Sequence, residues 1–75
     1  MTLNQGCIGT AYRIEDMQLP LKTEKRLEAL GMTYGTKILV INSKEKGTMI
    51  VKVRGTRFAI GRDISRNIRI SEAEA

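Results

Sequence analysis

The chain has no histidine and no tryptophan, a single cysteine, Cys7, and a single proline, Pro20. Without histidine it lacks the usual general base at neutral pH and the commonest metal ligand. One cysteine forbids an internal disulfide, and a thiol with no imidazole makes neither a Cys–His dyad nor a zinc cage. With no covalent staple, a reducing cytoplasm is the expected compartment. Aromatics are 4% of the residues. That scarcity disfavours single-stranded nucleic acid held by base stacking and proline-rich peptide held in an aromatic groove. No Walker spacing and no GxGxxG occurs. The longest strongly apolar run, residues 38–41, falls far short of the roughly 20 residues that cross a bilayer. The opening MTLNQGCIG has neither the basic lead nor the apolar stretch of a secretory signal.

What is present is a small folding unit. Of 75 residues, 41% are hydrophobic and 28% charged, the balance of one globular domain. Residues 1–70 read as that domain, and 71–75, SEAEA, as a solvated acidic tail. The net charge of +5 fits an acidic partner or plain solubility, since the basic residues are spread along the chain.

Residues 7–17 alternate, with Ile8, Thr10, Tyr12 and Ile14 on one face and Ala11, Arg13 and Glu15 on the other. That is a half-buried strand, loosened at its start by Gly6 and Gly9. Pro20 breaks it. Residues 22–30 predict a short helix capped by Thr23, with Leu27 and Leu30 as its buried stripe. Gly31 ends it in the left-handed conformation and lets Met32 fold back onto the last turn. Gly35 opens the next turn. Residues 36–43 predict a strand with Ile38 and Val40 inward. Residues 44–47 form a polar hairpin loop, and 48–54 the partner strand, with Met49, Val51 and Val53 inward. Gly55-Thr56 suits a type II′ turn. Then come a strand at 57–60 with Phe58 and Ile60 inward, a helical turn within 61–67 with Ile64 inward, and a closing strand at 68–70. The fold class is mostly β: a five-stranded barrel with one short helix after the first strand and a helical turn before the last.

Chemistry is sparse. Glu24 and Glu28 share a helix face, but Lys25 and Arg26 stand beside them, and neither this pair nor Glu15-Asp16 supplies the ligands of a hard-cation site. Cys7 reads as a small buried hydrophobe or as an exposed thiol able to join two chains. Lys52, Arg54 and Arg57 form one basic group, and Arg62, Arg66 and Arg69 another. The positive signal lies on the outward face of the second and third strands. There Leu39, Ile41 and Ile50 make an apolar patch bordered by Lys37, Lys52 and Arg54. An apolar patch with a basic rim is the make-up of a docking surface. The other reading of the same residues is partial burial under the helix.

RLEALGMTYGT, KILVINS, TMIVKVRGTRFAI and GRDISRNIRI resemble the FeoA family of small cytoplasmic proteins of bacterial ferrous-iron uptake. The matching positions are Arg26, Leu27, Leu30, Gly31, Met32, Gly35 and Thr36, followed by Val51, Val53, Gly55, Ile60, Ile64, Ile68 and Ile70. Tyr34 stands where the family often has proline, and Ser65 where alanine is common. The resemblance implies an SH3-like barrel with turns at Gly31, Gly35 and Gly55. It also implies a non-enzymatic accessory role, with the membrane transporter FeoB as partner through its cytoplasmic G-protein region. The docking surface would be Leu39, Ile41, Ile50, Lys52 and Arg54. Binding of a transition metal is implied by the resemblance alone. A basic nucleic-acid-binding barrel, or a metal-responsive regulatory domain using Cys7, is the alternative.

Overall fold

The computed structural model describes residues 1–73, with Glu45 by its backbone alone. Five strands, β1 (Ala11–Met17), β2 (Lys37–Ser43), β3 (Met49–Val53), β4 (Thr56–Ile60) and β5 (Ile68–Glu72), form one antiparallel sheet in the order β4-β3-β2-β1-β5. Helix α1 (Leu21–Ala29) follows β1, and the short helix α2 (Arg62–Ser65) precedes β5. Register shifts between Ile14 and Asp16 and between Val40 and Asn42 mark bulges in β1 and β2, the device that bends a sheet towards closure.

Among the described residues β4 and β5 are not hydrogen-bonded to each other. The barrel is therefore closed by other means. Thr2 bridges Arg69 across the free edge of β5, and the Ile70 amide donates to the Met1 carbonyl at 2.8 Å. A 3-10 turn at Leu3–Gln5 then packs against α2 and β5. Leu3 is fully buried. The approach is close enough to need a glycine. A Cβ on Gly6 would sit 3.1 Å from the Leu3 carbonyl oxygen and 3.2 Å from both Tyr12 and Val40.

The inward positions of the first four strands are as the alternation places them: Tyr12, Ile14, Ile38, Val40, Met49, Val51, Val53 and Ile60 are buried, and Ile68 and Ile70 of β5 join them. The Tyr12 hydroxyl accepts from the Cys7 amide at 2.7 Å, which satisfies its polar end. Phe58 and Ile64 pack against this core but are only partly buried.

Several expectations need correction. β1 starts at Ala11, because the Thr10 amide bonds the Cys7 carbonyl and Gly9 has φ +86, so the chain turns there; Ile8 and Cys7 are exposed. Helix α1 starts at Leu21 behind Pro20, with no side-chain cap, and Thr23 lies inside it. Leu30 is exposed, so Leu27 alone is the buried residue of that helix. The turn between β3 and β4 is Arg54 and Gly55, since Val53 pairs with Thr56. Both turn residues have positive φ, +50 and +85, as a type I′ turn requires and a type II′ turn does not.

The helix end matches its expected form. The Met32 amide bonds the Leu27 carbonyl and the Gly31 amide the Glu28 carbonyl, each at 2.9 Å, around Gly31 at φ +96. This is the Schellman pattern, and it carries Met32 into full burial beside Leu27 in the core. At the C-terminus β5 runs on through Ser71 and Glu72, which pair with Arg13 and Tyr12. Residues 74 and 75 of the expected tail lie outside the described residues.

Candidate docking groove

The outward face of the sheet carries a groove of about 370 Å³ lined by Ala11, Lys37, Ile38, Leu39, Lys52, Arg54 and Gly55. Register explains the gathering. Leu39 stands between Ala11 on β1 and Lys52 on β3, its direct cross-strand partners, and Lys37 is two residues from it on the same face. Leu39 is 37% exposed. The floor is apolar and the rim is Lys37, Lys52 and Arg54.

Of the five residues expected to dock a partner, Leu39, Lys52 and Arg54 line this groove, while Ile41 and Ile50 do not. The bulge is the reason. Val40 pairs with Val51 and Asn42 with Ile50, so Ile41 is the extra residue of β2 and falls out of the alternation. Ile41 and Ile50 are each half-buried. Of the structural turn residues, Gly31, Gly35 and Gly55 all have positive φ, and the Gly35 amide closes its turn onto the Ile14 carbonyl at 2.7 Å.

Arg54 is the unexpected element. It is a non-glycine residue in left-handed backbone, and its stem runs beside the end of α1. A Cβ on Gly31 would lie 3.4 Å from its Cδ. Arg57 faces Lys52, and Arg13 faces Lys37, as direct cross-strand partners. Arg13 donates to the Gly35 carbonyl at 3.0 Å. The second basic group is dispersed: Arg66 pairs with Asp63 at 3.7 Å, Arg62 packs on Gly47, and Arg69 bridges Thr2.

Tyr34 is 55% exposed, yet its ring is tethered. Its hydroxyl donates to Glu24 Oε1 at 2.6 Å, tying the turn before β2 to α1. This bond, with some desolvation and the negative charges of Glu24, Asp16 and Glu28, pushes the phenol up to about 12. Ser65, buried, donates to the Gly47 carbonyl at 2.9 Å and locks α2 onto the β2–β3 loop. Sequence reasoning missed Leu3 as a core residue and Ala11 as groove floor. A lone leucine in a polar lead carries no periodicity, and alanine marks neither face.

The donor set does not fit a transition-metal centre. Among the described residues no three His, Cys, Asp or Glu side chains come together, and Cys7 is a free, exposed thiol. Among them also, no helix is long and apolar enough to cross a membrane.

Comparison with known proteins gives the family. The model of the FeoA domain matches residues 1–72. A Methanocaldococcus jannaschii protein named as an Fe(2+) transport protein A is 34% identical over 50 residues, which is 67% of this chain; the match spans 60% of that relative's length. The crystal structure of an iron uptake regulatory protein, FeoA, superposes with a TM-score of 0.83 at 26% identity, covering 97% of this chain and 96% of that one. A zinc complex of Stenotrophomonas maltophilia FeoA, a prokaryotic SH3-domain protein, superposes with a TM-score of 0.78 at 25% identity, covering 95% and 89%. This chain, an SH3-like barrel, belongs to the FeoA family.

Proposed function

We propose that this protein is a non-enzymatic cytoplasmic accessory of ferrous-iron transport that docks on the cytoplasmic part of the transporter FeoB. Membership of the FeoA family supports the transport role. The observation that carries the docking surface is the outer groove, with an apolar floor at Leu39 and cations at Lys37, Lys52 and Arg54. Leu39 is the apolar contact, Lys52 and Arg54 steer and register the partner, and Ile41 and Ile50 extend the contact along the β2–β3 hairpin. Such a surface gains from apolar burial at its centre and from charge complementarity at its rim.

The test is a titration of the isolated cytoplasmic region of the transporter. Wild type binds. Leu39→Glu and Ile41→Glu keep the fold, because neither residue belongs to the core cluster, and Leu39→Glu weakens binding by about tenfold or more. Wild-type affinity in both variants would move the site elsewhere on the barrel. No binding by wild type would remove the reading.

A further inference from the structure

The groove is cationic at the expense of the fold, in two independent ways. First, like charges stand directly opposite each other on its face: Arg13 against Lys37, and Lys52 against Arg57. Cross-strand pairs of one sign oppose pairing. No carboxylate intervenes: among the described residues the one ion pair within 4 Å is Arg66 with Asp63, on α2. Glu15, further along β1, is engaged by the Ser71 hydroxyl. Second, Arg54 occupies the first position of a type I′ turn, where asparagine, aspartate or glycine adopts positive φ far more readily. Residues held in sparsely populated backbone regions cluster at functional sites; Lys46, at φ +65 in the β2–β3 loop, is the other non-glycine residue of this kind among those described.

Both features set cations around one cavity. The Arg54 stem lies beside the glycine that ends α1. The floor between the cations is Ala11 and Leu39, which accepts an apolar side chain. No aromatic lines the groove, so a nucleobase finds nothing to stack on.

Resting on the docking reading above, we propose that the groove recognises an acidic–apolar protein segment, with one aliphatic side chain seated over Leu39 and carboxylates on either side meeting Lys37, Lys52 and Arg54. The cationic rim calls for an anionic partner, and the apolar floor with no aromatic beside it commits the site to this occupant over a nucleic acid strand. Such an occupant also makes Arg54 a specificity residue kept against the preference of its own turn.

Three proteins decide it: wild type, Arg54→Asn and Lys52→Glu. Asn-Gly is a favoured type I′ pair, and glutamate at 52 faces Arg57 with opposite sign, so each variant is expected to melt a few degrees above wild type. Each is expected to bind the transporter's cytoplasmic region at least about tenfold more weakly. A labelled peptide of leucine flanked by glutamates, its lysine-flanked counterpart and a single-stranded DNA oligonucleotide serve as probes, with amide shifts mapping their sites. The acidic peptide is expected to shift Leu39 and Lys52, with the basic peptide silent and the DNA failing to compete. Wild-type binding of the transporter region together with undiminished binding by both variants overturns this proposal and leaves the docking reading standing. Failure of wild type to bind that region, with the acidic peptide still seated in the groove, overturns the docking reading and leaves the groove chemistry standing. Lower melting points in both variants, or tighter binding of DNA than of peptide at these residues, also overturns the proposal.

Discussion

The two faces of β1, β2 and β3 obey different rules although they belong to the same residues in alternation. On the inner face Tyr12, Ile14, Ile38, Val40, Val51 and Val53 are all at most 1% exposed. Every one is apolar or, for Tyr12, has its polar end satisfied. On the outer face, one residue away in each case, lysine opposes arginine and a leucine is left in solvent. A face shaped only by folding would alternate signs across the strands, as cross-strand energetics favour. The inner face is what makes the barrel stand. The outer face answers to a different demand, and its lapses from good folding practice are informative for that reason.

The largest expected effect separates neighbours. Ile38→Ala empties a fully enclosed site and is expected to cost about 2–5 kcal/mol. For a domain this size each kcal/mol lowers Tm by roughly 4–8 °C. Leu39→Ala, next in sequence and facing the groove, is expected to stay within about 0.5 kcal/mol of wild type. Thermal unfolding followed by circular dichroism reads both. Equal losses would break the comparison, because Leu39 would then be core and the groove a packing defect.

A smaller effect sharpens it at two glycine-like turns. Gly31 and Arg54 both have positive φ and lie against each other, yet their substitutions are expected to act with opposite sign. At φ +96 Gly31 lies beyond the left-handed region that other residues visit. Alanine there also meets Arg54 at 3.4 Å. Gly31→Ala is expected to destabilise by about 1–2 kcal/mol, seen as a lower urea midpoint at unchanged slope. At φ +50 the Arg54 position tolerates a side chain, so relief comes there from Arg54→Asn. A neutral Gly31→Ala would mean that the helix end relaxes freely.

How far all this was legible follows from the same contrast. Period-2 alternation named the inner residues of β2 and β3 without error, because a buried face leaves no choice of side chain. The Gly31–Met32 ending was legible because left-handed backbone has its own residue code. Thr23 was misread as a cap because Pro20 already fixes the backbone at the helix start, and a proline at that place carries no side-chain signal of capping. Leu30 was placed inside by its spacing from Leu27, but the Schellman ending hands the inward role to Met32 instead. Ile41 was set beside Leu39 by strict alternation, but a bulge, which has no sequence mark, keeps it from lining the groove. The hairpin turn was misread by one residue because arginine is not a turn residue by composition. That failure fell within the candidate site, where the sequence departs from what its backbone prefers.

The smallest effect lies at the turn before β2 and the face of α1 beside it, where carboxylates gather. Asp16, Glu24 and Glu28 surround Tyr34, and the Tyr34 hydroxyl donates to Glu24. Ionising this phenol breaks the bond and sets a negative charge beside three others, which is why its pKa rises to about 12 from the ordinary 10.0. The folded value lies above the unfolded one. Its contribution to stability is therefore complete below about pH 10 and is lost as pH climbs through 12. Absorbance of tyrosinate in wild type minus that in Tyr34→Phe isolates this residue from the buried Tyr12. The difference is expected to rise with a midpoint near 12, and wild type is expected to lose stability relative to Tyr34→Phe between pH 10 and 12. Because the ring is exposed, the change is expected to be slight and to shrink in high salt. Glu24→Gln keeps an acceptor without its charge and should draw the midpoint back towards 10. A wild-type midpoint already at 10 would show that the Tyr34–Glu24 bond does not hold in solution.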